Sequence, residues 1–292
     1  MPVCLGVYSD NRGLLLMLEP KRESVLEAKD MSEESRCSGI DLAWDDSHVM
    51  PEVITPEVEF VFRKMTEVFF SEIGAKPGVL VLDVGCGRGL DGVRMSQEGA
   101  SVIGVEPSDI MLRHARDYMR ESGTSIALVR AIGEYLPFRS ACVDKVVCKG
   151  ALDHFADPAR VLEEVARVLK VGGRAVIVVA NFESLGFKIG RAVYSLWKSL
   201  STERVSFKMP WEIPDDHTYR FDYRLLKRMV SQCFTVEKVK GISLLFGLPW
   251  WGAFLSRCPA KLAQTILALL DKIARRLPWL SDVVLVSCTR RT

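Results

Sequence analysis

The apolar run Val79-Leu-Val-Leu-Asp-Val84 has no polar alternation on either side of its single acid, so it reads as a strand buried on both faces. Ahead of it, Val58, Phe60, Val61, Phe62, Met65, Val68, Phe69 and Phe70 recur at helical spacing after Pro56, and Pro77-Gly78 marks the intervening turn. Beyond it, strands and helices alternate. Ser101–Glu106 reads as a strand, and Ser108–Glu121 as a helix with Ser108 as its N-cap. Ser125–Arg130 and Val143–Lys149 are two more strands. Pro158–Lys170 is a helix opened by Asp157-Pro158, Gly172-Gly173 ends it, and Arg174–Ala180 is the next strand. Alternation at this spacing predicts an α/β chain with a doubly wound, mostly parallel sheet.

After Asn181 the pattern loosens into an insertion rich in aromatic and basic residues. It resumes with a helix at Tyr223–Cys233 and a strand at Phe234–Ile242. A second insertion holds Leu244–Trp251 and a helix near Ala260–Leu277, and the strand Asp282–Cys288 follows. Residues 1–35 show no sustained periodicity and read as a loose extension. The expected division is an N-terminal extension over 1–50 and one domain over 51–292, interrupted by insertions at 181–222 and 243–281. A chain of 292 residues with 48% hydrophobic composition can bury a core of that size.

The stretch Val81-Leu-Asp-Val-Gly-Cys-Gly-Arg-Gly-Leu90 is where chemistry enters. Gly85, Gly87 and Gly89 lie between a strand and a helix, where glycine lets the backbone turn tightly and approach a ligand closely. Glu106, 21 residues beyond Gly85, ends the next strand and is placed to accept hydrogen bonds from ribose hydroxyls. The spacing is G-x-G-x-G, unlike the dinucleotide G-x-G-x-x-G, which argues against a nicotinamide-dependent oxidoreductase. No Gly-Lys-Ser/Thr follows, which excludes a triphosphate-binding loop. The pattern is that of a nucleoside site.

Residues 79–180 resemble the class I S-adenosylmethionine-dependent methyltransferases, and within them the small-molecule type 11 branch that includes quinone and sterol methyltransferases. The resemblance is carried by Asp83-Val-Gly-Cys-Gly-Arg-Gly89, Gly104-Val-Glu-Pro107, Glu134-Tyr-Leu-Pro-Phe138 and Leu162-Glu-Glu-Val-Ala-Arg-Val-Leu-Lys-Val-Gly-Gly173. It implies a seven-stranded Rossmann-like sheet whose last strand is antiparallel, with C-terminal helical insertions and S-adenosylmethionine as cofactor. By the same resemblance Asp83 and Gly85–Gly89 cradle the methionine end, Glu106 with Pro107 holds the ribose, and Ile132, Gly133 and Glu134 line the adenine. Lys149 and Gly150 would lie beside the methionine amine and the reactive methyl. Ile132 departs from the family, which usually has an acid there. The adenine amino contact is then lost, moved to Glu134, or left to the Gly133 backbone. That departure also keeps open the alternative of an inactive cofactor-binding partner protein. Asp153, before His154, stands where many relatives have another histidine.

Methyl transfer is an in-line displacement, so alignment supplies much of the catalysis and a base is needed only for a protonated acceptor. Three catalytic candidates follow. His154 comes after the strand Val143–Lys149 and can act as a base, with Asp153 orienting it or acting directly. A helix-capping role explains His154 equally well. His217, in Pro214-Asp-Asp-His-Thr-Tyr-Arg-Phe-Asp222, resembles the His-x-x-x-Phe stretch beside the acceptor pocket of lipid and sugar methyltransferases. An Asp-rich turn capping a helix is the alternative reading of the same residues. His48 and His114 read as incidental.

Charge is uneven under a net value of +2. Leu185–Thr292 carries 18 Lys and Arg against 8 Asp and Glu, which points to an anionic or phosphate-bearing substrate, a membrane surface or a solvated face. The second insertion combines Phe246-Gly-Leu-Pro-Trp-Trp-Gly-Ala-Phe-Leu255 with Leu262, Ile266, Leu269, Leu270, Ile273 and Leu277 on one helical face. The commoner meaning is a lid over a hydrophobic pocket or plain core. An interfacial helix giving peripheral membrane contact over 244–280 is the other. Either points to a small hydrophobic acceptor, and nucleic acid is disfavoured for want of an Asn-Pro-Pro-Tyr-type motif. The eight cysteines are scattered without zinc spacing, so no metal is expected and a reducing cytoplasm is the simplest setting. The run Leu14–Leu18 is too short for a signal-peptide core.

Overall fold

The computed structural model describes residues 4–8, 42–46, 54–200, 209, 211, 212 and 217–291. Its centre is a sheet in which neighbouring residues of each strand face opposite layers. Strand β2 (Leu80–Val84) shows this directly: Leu82 and Val84 pack into one core and Val81 into the other. Each buried Val or Leu contributes about 1.5–3 kcal/mol relative to exposure, so this two-faced burial fixes the register of the whole sheet.

In chain order, β1 (Cys4–Tyr8), α1 (Pro56–Ile73), β2, α2 (Leu90–Gln97), β3 (Ser101–Val105), α3 (Asp109–Ser122), β4 (Ala127–Ala131) and β5 (Val143–Lys149) form the first part. Then come α4 (Pro158–Val168), β6 (Leu169–Ala180), α5 (Leu185–Leu200), α6 (Tyr223–Cys233), β7 (Phe234–Ile242), α7 (Trp251–Arg257), α8 (Ala260–Arg276) and β8 (Val283–Arg290). The strand order is β1-β4-β3-β2-β5-β6-β8-β7. Strands β4, β3, β2, β5 and β6 run parallel, and β8 is antiparallel to both β6 and β7. One core packs the sheet on α1, α2 and α3 through Phe69, Met95 and Leu112. The other packs it on α4 and α6 through Leu162 and Leu226. The sheet is doubly wound, as the alternation predicts, and β2 to β8 are the expected seven-stranded Rossmann-like sheet.

Three local expectations change. Cys4–Tyr8, read as part of a loose extension, forms β1 and pairs antiparallel with the edge strand β4, whose unpaired backbone groups invite a partner. Residues 9–35 lie outside the described residues. The glycines Gly172-Gly173 do not end a helix. Helix α4 stops at Val168, and β6 starts at Leu169 opposite Val143 with a register shift before Lys145, so the glycines lie inside a strand. The first insertion, read without periodicity, contains α5. That helix buries only Gly186, Phe187 and Gly190, and a Cβ on Gly190 would stand 2.5 Å from Trp211. Among the described residues no helix is long and apolar enough to cross a membrane.

Candidate functional site

Strand order reverses at β2, which lies between β3 and β5, and the carboxyl ends of parallel strands at such a point form a ligand crevice. A cavity of about 1000 Å³ opens there. The loop after β2 shapes one wall. The amides of Gly85 and Cys86 both donate to the Val105 carbonyl, at 2.9 and 3.0 Å, which folds the loop against the end of β3. Gly85 has φ +74°, and a Cβ there would lie 2.5 Å from that of Ala151, so any side chain both strains the turn and strikes the opposite wall.

Glu106 is 6% exposed at the head of the loop that follows β3. Its Oε2 accepts from the Gly87 amide at 3.1 Å and its Oε1 from the Ser108 amide at 3.0 Å. Burial pushes its carboxyl up to about 7 against those two bonds. Ser108 caps α3 by accepting from Met111 N, and its hydroxyl donates to the Trp44 carbonyl at 2.7 Å. Residues 42–46 are thereby drawn across the site. Arg88 grips Asp46 with Nε at 2.8 Å from both carboxylate oxygens and Nη2 at 2.6 Å from Oδ1, which holds the Asp46 carboxyl below its ordinary range. His114 Nε2 stands 3.7 Å from Asp45 Oδ1 and does not line the cavity. His48 lies outside the described residues.

Of the expected cofactor residues, Gly85, Gly87, Glu106, Pro107, Ile132, Glu134, Lys149 and Gly150 line the cavity. Asp83, Gly89 and Gly133 do not. Asp83 is buried behind the loop, and its carboxyl is pushed up to about 8 by burial and then by the charge of Asp91. Gly89 is the N-cap of α2 in left-handed backbone. Gly133 is covered by Phe155, which a Cβ would meet at 2.9 Å. Asp91, Arg88, Arg94 and Trp44 line the cavity without having been singled out. Asp91 had a signal, an acid in the first turn of the helix after the glycines, where it pairs with Lys149 Nζ at 2.5 Å.

At the far wall, Ile132 is 1% exposed and offers only apolar contact. Glu134 Oε1 accepts from Asp157 N at 3.2 Å, while its Oε2 is buried with no hydrogen-bond partner. Burial raises this carboxyl too. A buried acceptor left unpaired costs free energy, so an N–H donor from a ligand is the partner this atom lacks. The donor set fits S-adenosylmethionine: Glu106 for ribose hydroxyls, Glu134 for an adenine amino group, Asp91 for an ammonium, and a loop cradle without side chains.

Residues 82–177 match the family described as a methyltransferase domain. Residues 82–177 thus carry a methyltransferase domain, and they lie within the stretch that resembles the class I S-adenosylmethionine-dependent family. The chain is 35% identical over 149 residues to the ubiquinone biosynthesis O-methyltransferase of Hahella chejuensis, covering 48% of this chain and 63% of that protein. It is 31% identical over 152 residues to the demethylmenaquinone methyltransferase of Corynebacterium kroppenstedtii, covering 51% and 62%. The chain thus spans less than two thirds of the length of these relatives. The methyltransferase domain also has the fold of a SAM-dependent methyltransferase from Aquifex aeolicus, with TM-score 0.53 and 16% identity over 85% of this chain and all of that one.

The catalytic candidates meet at the rim of the cavity. His154 and His217 both line it, with ring centroids 4.4 Å apart in an edge-to-face arrangement. Asp153 is 3% exposed and does not line it. Its Oδ2 is 3.4 Å from His217 Nδ1. The Asp153 carbonyl also accepts from Thr218 N and Tyr219 N at 2.8 and 3.2 Å, tying the loop after β5 to the segment before α6. Neither histidine caps a helix, because Asp157 caps α4 and Asp222 caps α6. The donor atoms of Asp153, His154 and His217 lie within 4.8 Å of one another, close enough to hold a metal ion.

The second insertion does not cover this cavity. Among the described residues none beyond Thr218 lines it. Helices α7 and α8 instead pack on α1 through Phe60, Leu255, Ala263 and Leu267. The lid reading fails because the buried face of α8 is not the apolar stripe seen in the sequence.

Proposed function

We propose that the chain transfers a methyl group from S-adenosylmethionine to a small apolar acceptor, with His217 as the group that takes the acceptor's proton. The observation that carries this reading is the convergence of the two histidines and Asp153 on the rim of the cavity that holds Glu106 and Glu134. The cofactor supplies an electrophilic methyl on a sulfonium centre. The chain's own residues bind, orient and manage a proton. Glu106, Glu134 and Asp91 fix the nucleoside and its cationic tail. Asp153 places its carboxylate 3.4 Å from His217 Nδ1, where it stabilises the ring once the ring has taken a proton. Trp44, Phe62, Met65, Leu90, Met111 and Phe155 supply apolar wall, which favours an apolar body on the acceptor. The curated relatives named for ubiquinone and demethylmenaquinone methylation agree with an acceptor of that type.

The test is transfer of label from methyl-labelled cofactor into cell extracts. Label in the lipid and quinone fraction, lost with His217→Ala, supports the proposal. Label confined to polar metabolites would contradict the apolar acceptor.

A further inference from the structure

Helix α8 has two apolar faces and the fold uses one. Ala263, Leu267 and Ala274 are buried. Leu262, Ile266, Leu269 and Ile273, at spacings of four, three and four, form a separate stripe on which Leu262, Leu269 and Ile273 are 44–54% exposed. Helix α7 adds Phe254, 51% exposed, and Trp250 at its N-cap is 75% exposed. Single exposed apolar residues need no explanation, but a stripe with an adjoining tryptophan and phenylalanine does.

Charge identifies what the stripe meets. Residues 243–281 contain five cations, Arg257, Lys261, Lys272, Arg275 and Arg276, and one acid, Asp271. Asp271 is 3% exposed and is paired with Arg275 at 2.9 Å. The solvent-facing side of this insertion therefore shows cations and no anion. At 100° per residue, Lys261, Lys272 and Arg276 fall along one border of the apolar stripe. A second copy of the same face would set cation against cation. An anionic bilayer accepts both components, the apolar stripe below the headgroups and the ammonium and guanidinium groups among the phosphates.

We infer that α7 and α8 seat the protein on an anionic lipid surface, with α8 lying in the plane of the interface. Helix α1 connects this surface to the cavity. It packs on α7 and α8 through Phe60 and lends Phe62, Met65 and Thr66 to the cavity wall. A hydrophobic acceptor dissolved in the bilayer then has a short route to the site. The lipid contact itself stands whether or not methyl transfer is the reaction.

The experiment is co-sedimentation of the full chain with vesicles of phosphatidylcholine plus phosphatidylglycerol, and with vesicles of phosphatidylcholine alone, at low and high salt. Two double variants accompany it: Leu269→Ser with Ile273→Ser, and Lys272→Glu with Arg276→Glu. Titration with S-adenosylmethionine on the same samples reports whether each variant is folded and keeps its cofactor site. Binding to the anionic vesicles, weakened by salt and reduced about tenfold or more by each double variant at unchanged cofactor affinity, is the expected result. Equal binding to both vesicle types, or variants that sediment like the parent, would overturn it. So would a stable dimer in solution that ignores vesicles and dissolves with Leu269→Ser and Ile273→Ser.

Discussion

The Gly87 amide donates to Glu106 Oε2 at 3.1 Å, so the acid proposed to receive the ribose also anchors the loop proposed to receive the methionine end. Two halves of the nucleoside site are thus one mechanical unit. Glu106→Gln keeps the shape but weakens the acceptor for both the loop and the ligand. Cofactor affinity is expected to fall by about 1–3 kcal/mol, with a smaller loss of thermal stability. Calorimetric titration and a melting curve on the same preparation check it, and a loss of stability larger than the loss of binding would contradict it.

Glu106 also makes binding depend on pH. Its folded carboxyl is raised from 4.5 to about 7 by burial, so between those values the ligand-free folded protein holds a proton that the unfolded chain has released. That contribution to stability is complete below about pH 4.5 and is lost as pH rises through about 7. Ribose hydroxyls donate to the ionised form. Cofactor affinity should therefore rise with pH toward 7, and binding should release a fraction of a proton. Titration just below neutrality in two buffers of different ionisation enthalpy measures that release, and identical apparent enthalpies would contradict it.

The Arg88–Asp46 pair is the visible clasp on residues 42–46. Arg88→Ala leaves the strands and helices untouched and frees the segment that Ser108 and His114 hold more weakly. Faster cofactor release is expected, by a few-fold for a half-exposed pair worth about 1 kcal/mol, and the parent rate should approach that of the variant at high salt. Stopped-flow displacement reads it. An unchanged release rate would show that the clasp does not gate the site.

Asp153→Asn and His217→Ala should lower kcat about 10²–10⁴-fold while leaving the cofactor dissociation constant in place. Dialysis against a chelator should leave turnover unchanged if His217 takes the acceptor's proton. Activity lost on dialysis and restored by zinc or manganese would replace the proton-handling account with a metal-bound acceptor oxygen.

Much of this was legible before the structure. The strands Val143–Lys149 and Phe234–Ile242 and the helix Tyr223–Cys233 have the bounds the pattern predicts, because each has one strongly apolar face and a clear stop. Glu106 and the glycine loop were legible because their chemistry is local, a turn and an acid at the ends of adjacent strands. The partner of Asp153 was not, since Asp153 and His217 are neighbours only after the loop before α6 returns to the end of β5. Helix α5 was missed although its residues are amphipathic, because it lies in a segment rich in aromatic and basic residues. The stripe on α8 misled for the opposite reason. Apolar spacing reports a face that avoids water in some setting, and here the packed face uses Ala263, Leu267 and Ala274 while Leu262, Leu269 and Ile273 stay outside.

The central claim is that the crevice at the end of β2 and β3 binds S-adenosylmethionine through Glu106. Titration calorimetry of the parent and of Glu106→Ala with S-adenosylmethionine and its demethylated product tests it most directly. Saturable binding of both ligands at one site per chain, weakened by about 1–3 kcal/mol in the variant, is the expected result. Absence of binding to the folded parent, or identical affinity in Glu106→Ala, would contradict it.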